Sequence, residues 1–187
     1  MIGELPTSLD INGKMYPIRT DFRDVLTIIS AFNDPEIDDG EKLFACLYIL
    51  YEDFDTLRES EYEEAYKQAV RFIDCGEEPK EDGRHPRLMD WEQDERILFP
   101  AINSAAGYEV RARKYVHWWT FMGYFMEIRE GVFSQVLQLR QKKQRGKKLE
   151  KWEQEFWRSN KDLCVLQPKL SEKEKEERDR LNALLNG

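Results

Sequence analysis

The stretch from Lys114 to Met126 constrains this chain more than any other. It reads Lys-Tyr-Val-His-Trp-Trp-Thr-Phe-Met-Gly-Tyr-Phe-Met and is the most apolar run in the sequence. As a helix it rises about 1.5 Å per residue, well short of the roughly 30 Å of a bilayer core. His117, Thr120 and the following Glu127 interrupt it. A run that cannot span a membrane and cannot face water must lie in a protein core, and a core needs other elements around it. With 187 residues there is material for one domain, or for a domain with an appendage.

Helical periodicity supplies those elements. Phe22, Val25, Leu26, Ile29 and Phe32 recur on one face behind Thr20, the expected N-cap, and Asn33-Asp34-Pro35 ends the run. A second helix starts near Gly40. Leu43, Phe44, Leu47, Tyr48, Leu50 and Tyr51 make it apolar around most of its circumference, so a central place is expected. Ser60 and Glu63 have the spacing of a capping box for a third helix, with Gly76 as a left-handed stop. The segment Glu77–Arg87 reads as a polar loop. Asp90 is expected to cap a fourth helix that Pro100 kinks or splits. Further helices follow Gly131 and the basic tract, and a last charged helix opens on Ser171 and Glu174. Ahead of them all, Asn12-Gly13 between Leu9-Asp10-Ile11 and Met15-Tyr16-Pro17-Ile18 predicts a short β-hairpin with a type I′ turn.

The fold class is therefore mainly α: a multi-helix single domain of six to eight helices, with a short N-terminal hairpin at about residues 5–20 and a mobile C-terminal helix. Residues 1–140 read as the compact part and 141–187 as a basic, charged helical extension.

Charge is unevenly spread. The net charge is −8, but Asp34–Glu64 holds twelve acidic and two basic residues, while Arg140–Lys161 holds nine basic and three acidic. The two segments can face each other within the chain or between copies, so self-association is one expectation. An acidic chain with one basic stretch is not a general nucleic-acid binder, although Arg140–Lys148 with Trp152 and Trp157 nearby has the composition to contact phosphates and stack on bases. Three cysteines at unmatched spacing argue against a disulfide scaffold and for a reducing compartment. Met1–Pro6 has no basic stretch followed by an apolar one, so no export signal is expected.

Catalytic signatures are missing. There is no Gly-rich phosphate loop, G-x-S-x-G, H-E-x-x-H or C-x-x-C. Cys46 and Cys75 read as packing thiols. His117 reads as a hydrogen-bonded histidine at the edge of the core, and His85 stands alone between Arg84 and Pro86. Asp90, Glu92, Asp94 and Glu95 invite comparison with a divalent-metal cluster, but acidic residues in a first turn are what the helix dipole favours. No catalytic residue, metal site or cofactor is expected.

Several short motifs occur in a fixed order: Leu5-Pro6-Thr7-Ser8, Ile11-Asn12-Gly13-Lys14, Tyr16-Pro17-Ile18, Thr20-Asp21-Phe22-Arg23, Phe72-Ile73-Asp74-Cys75-Gly76, Asp90-Trp91-Glu92-Gln93-Asp94 and His117-Trp118-Trp119-Thr120-Phe121. Together, over about Leu5–Arg140, they resemble the bacteriophage Gp-fifteen family of long-tailed phages. Thr120 departs from the family, whose members more often have lysine there. The resemblance implies a tail-morphogenesis protein without catalysis, in the position commonly held by tail assembly chaperones. It implies a tape-measure or tail tube protein as partner, no membrane, and the cytoplasm of the infected or lysogenic host as location. A structural tail component of the virion and a nucleic-acid-binding phage protein using residues 140–148 are the alternatives. The expected contact residues are the basic Arg140, Lys142, Lys143, Arg145, Lys147 and Lys148, the Leu149–Trp152–Phe156 face, and the Leu181–Leu184–Leu185 face.

Overall fold

A computed structural model describes residues 3–77 and 87–185. Strands β1 (Ser8–Ile11) and β2 (Lys14–Pro17) pair antiparallel, with Leu9 opposite Tyr16 and Ile11 opposite Lys14. Asn12 and Gly13 both take positive φ (54° and 86°), as the turn requires. Two strands cannot stand alone in water, and Ile11 and Tyr16 are buried against the helices.

Among the described residues nine α-helices follow: α1 (Phe22–Phe32), α2 (Asp39–Leu50), α3 (Tyr62–Ile73), α4 (Glu95–Ala106), α5 (Trp118–Met126), α6 (Val132–Gln144), α7 (Lys151–Ser159), α8 (Lys161–Cys164) and α9 (Glu172–Leu185). The one beyond the expected range is α8, a single turn. The mainly α class with its small N-terminal hairpin stands.

The core is built around the apolar run. Trp118 and Phe121 of α5 are buried, and Phe121 stacks on Phe22 of α1 with centroids 4.4 Å apart. The two tryptophans of the His-Trp-Trp motif close the end of α3. Trp118 Nε1 donates to the Ile73 carbonyl (2.8 Å) and Trp119 Nε1 to the Phe72 carbonyl (2.9 Å), two of the carbonyls that a helix end leaves without intrahelical partners. His117 is the N-cap of α5: its Nδ1 accepts from the Trp119 N–H (3.0 Å), which leaves Nε2 to donate to the Pro6 carbonyl (2.9 Å). The imidazole thus joins the N-terminal segment to the central helix.

Several expected boundaries move, each for a physical reason. The N-cap of α1 is Asp21, not Thr20. Thr20 and Asp21 lie in extended backbone beside Val116–Trp118, with Trp118 N–H to Thr20 O at 2.7 Å and Phe22 N–H to Val116 O at 3.0 Å, so helical geometry can begin only at Phe22. Asp21 then caps Arg23 N–H and also accepts from Val116 N–H. Ser60 caps nothing; a short 3₁₀ turn at Glu59–Glu61 precedes α3, because Glu61 is drawn inward to Arg58 and to the Tyr16 hydroxyl. Helix α4 starts at Glu95, five residues after Asp90, and Pro100 lies inside one unbroken helix. Its missing N–H leaves out only the bond to the carbonyl of Arg96, an exposed residue. Gly76 is left-handed as expected, and Cys75 before it is also at positive φ (56°). Helix α2 is less central than its composition suggested: Cys46, Leu47 and Leu50 are buried, but Phe44 and Tyr48 are 51% and 59% exposed.

Candidate interaction surfaces

The residues that looked like one basic tract divide into three environments. Arg140 is internal, only 7% exposed, and its guanidinium is fully used. It grips Asp94 with two bonds of 2.7 Å, and it donates to the carbonyls of Leu88 (2.9 Å), Cys164 (3.1 Å) and Leu163 (2.5 Å). A partner-binding role for Arg140 is therefore corrected to a clamp between α6, the turn before α4 and the end of α8. Lys142 pairs with the buried Glu153 of α7. Lys142 and the Glu150 backbone N–H hold that carboxyl below its usual range.

Lys143, Arg145, Lys147 and Lys148 are exposed. Lys143 lies over the Trp157 ring at 4.5 Å. Together with Lys147, Lys148, Leu149, Gln154 and Arg158 it lines an open hollow of about 370 Å³. No acidic group among the described residues pairs with Lys143, Arg145, Lys147, Lys148 or Arg158. Such a concentration of unpaired cations around an indole suits carboxylates or phosphates. Trp157 was expected only as an aromatic near the tract, and Arg158 was not singled out; what brings both to the lysines, the return of α7 over the end of α6, depends on the turn at Gly146, whose φ is +66°.

The Leu149–Trp152–Phe156 face is corrected likewise. Leu149 is buried with Val136, Leu139 and Cys164 in a second small core, and Phe156 packs on it. Only Trp152, 54% exposed, looks outward. The stripe faces inward because Leu149 lies in the turn that folds α7 onto α6.

Helix α9 is different. Every residue from Glu172 to Leu184 is exposed, Leu181 by 54% and Leu184 by 73%; Leu185 ends the helix. Its base is anchored. Gln93 and Gln167 exchange two side-chain-to-backbone bonds of 2.9 Å, Lys169 reaches Glu92 at 2.7 Å, and Glu172 N–H donates to the Glu36 carboxylate. Ser171 and Glu174 form the expected capping box.

A third surface was not anticipated. On the outer side of α2, Phe44 and Tyr48 stack at 6.0 Å. Phe54 packs edge-on to both, at 5.2 and 5.7 Å, and passes the contact to Tyr62 at 5.7 Å. Exposed Glu52, Asp53 and Asp55 border this ladder, and no cation among the described residues pairs with them.

The acidic quartet before α4 holds together through its own neighbours. Asp90 accepts from Glu92 and Gln93 N–H and pairs with Arg87; Asp94 takes Arg140; Glu92 takes Lys169 and Ser30, which lower its pKa. Burial pushes the Cys46 thiol up to about 12, and burial with Asp74 and Glu77 pushes Cys75 up to about 11, both far from the thiolate that reactivity needs. His85 lies outside the described residues.

A family model described as Bacteriophage Gp15 protein matches residues 1–166. The chain belongs to this family. It is accordingly a phage structural or morphogenesis protein. The match runs beyond the resemblance first seen over Leu5–Arg140 and takes in the basic hollow, whereas α9 lies past its end. The motif that carried the resemblance, His117-Trp118-Trp119, is architectural: its three rings fasten α5 to α3 and to the N-terminal segment. No curated protein and no solved structure matches the chain. No helix among the described residues is long and apolar enough to cross a membrane.

Proposed function

We propose that this chain is a non-enzymatic tail assembly factor, a chaperone that holds the tape-measure protein or early tail tube subunits in the host cytoplasm until the tube polymerises around them. One observation carries this reading: α9 is a helix of fourteen residues anchored at its base, with Leu181 and Leu184 turned to solvent. An apolar stripe on a helix that buries nothing of its own is suited to lie along another amphipathic helix. A long helical ruler presents such stripes and aggregates until they are covered. Two leucines bury little apolar area, so the contact is weak and reversible, as a factor that must later leave requires. Affinity purification from infected cells during tail assembly, together with mass spectrometry of mature particles, tests the proposal. The chain should recover the tape-measure or tube protein from cells and be absent from finished tails. Its presence in finished tails would make it a structural component instead.

The hollow around Trp157 favours a second reading, nucleic-acid binding. A gel shift at low salt that is lost when Lys147 and Lys148 become glutamine supports that reading, and no shift at low salt removes it.

A further inference from the structure

The chain carries two unsatisfied surfaces of opposite sign, and neither satisfies the other. Residues 34–64 hold twelve acidic groups against two basic, and residues 140–161 hold nine basic against three acidic; Glu61, Arg140, Lys142 and Glu153 are spent within the chain, and most of the others remain outside. No hydrogen bond or ion pair among the described residues joins these segments. On the acidic side, Phe44 and Tyr48 project with Glu52, Asp53 and Asp55 beside them. On the basic side, Lys143, Lys147, Lys148 and Arg158 surround Trp157 in a hollow of about 370 Å³.

We propose that a second copy of this chain fills that hollow, seating its α2 aromatic ladder and the adjoining carboxylates on the lysines and on Trp157. Two chemical matches support the pairing. Carboxylates meet cations that have no carboxylate of their own, and the faces of Phe44 and Tyr48 meet ammonium and guanidinium groups, as Lys143 already meets Trp157 at 4.5 Å. Charge also fixes the register. Acid on acid and base on base repel, so only the acidic face of one copy on the basic face of the next is favoured. The contact is heterologous: each copy added presents one further face of each kind, and the assembly closes into a ring or continues as a filament. Such self-association is separate from the α9 contact with a tail protein and survives if that contact is disproved.

Sedimentation of the full chain tests it with two variants. Lys147→Glu with Lys148→Glu spoils only the basic face, and Phe44→Ser with Tyr48→Ser spoils only the acidic one; all four residues are exposed, so circular dichroism should match wild type. Wild type should associate at low salt and dissociate in about 1 M salt, where the Debye length is about 3 Å. Each variant alone should bind itself roughly tenfold or more weakly. Mixed together they should form a 1:1 dimer that grows no further, since one intact face of each kind remains. That complementation also shows both variants folded. A wild type that stays monomeric at low salt overturns the proposal, as does association that neither variant weakens, or a mixture that fails to pair. Binding of an oligonucleotide in the hollow by a monomeric wild type overturns it in favour of nucleic acid.

Discussion

Arg140 shows what a single buried charge can organise. Its five bonds fasten three segments that lie far apart in sequence, and Asp94, 2% exposed, has no other cation within bonding distance among the described residues. Arg140→Ala strands that carboxylate and should cost about 3–5 kcal/mol in urea unfolding. Arg140→Met with Asp94→Leu should cost less than Arg140→Ala alone, because no unpaired charge is left. Glu61 carries a pH signature. The Arg58 side chain and backbone N–H hold its carboxyl down, from an ordinary 4.5 to about 2. A folded-state pKa below the unfolded one contributes stability that is present above pH ~4.5 and lost as pH falls toward ~2. Denaturation midpoints measured across that window should fall for wild type and fall less steeply for Glu61→Gln. Neither role was readable from the chain alone: Arg140 opens a run of cations that looks solvated, and only the return of α7 and α8 buries it.

At the scale of elements, the helices were legible and their ends were not. Period 3.6 placed the face of α1, and the Asn12-Gly13 turn placed the hairpin, because those signals are local. The start of α1 was misread at Thr20 because Thr and Asp both cap. The choice falls to Asp21 through pairing with Val116–Trp118, about ninety-five residues away. The candidate surface was legible only as composition. Counting located the basic tract, but not which cations spend themselves inside the protein. His117 joins element to element, and His117→Ala should cost about 1–2 kcal/mol by chemical denaturation, while His117→Asn, which keeps a capping acceptor, should cost less. Helix α9 contributes the reverse case. Because Glu172–Leu184 are all exposed, truncation after Leu170 should leave the thermal midpoint within about 2 °C of wild type. A larger drop would mean that α9 packs on the body.

For the whole molecule, the packed cores and the proposed contact surfaces are kept apart. The core gathers around α5 and a second small core holds α6, α7 and α8 together, while the α2 ladder, the Trp157 hollow and the α9 leucines stay on the outside. Net charge described this poorly: −8 hides an acidic segment and a basic one that no bond among the described residues joins. Membership in a phage structural and morphogenesis family, an anchored helix with an uncovered stripe, and faces of opposite sign are what the proposed contacts with other chains rest on. The most direct test is co-expression of the tape-measure protein with the wild-type chain, with a Leu181→Ser, Leu184→Ser variant, and with no partner, followed by its distribution between supernatant and pellet. The account predicts a soluble tape-measure protein with wild type alone. Equal solubility in all three would contradict it.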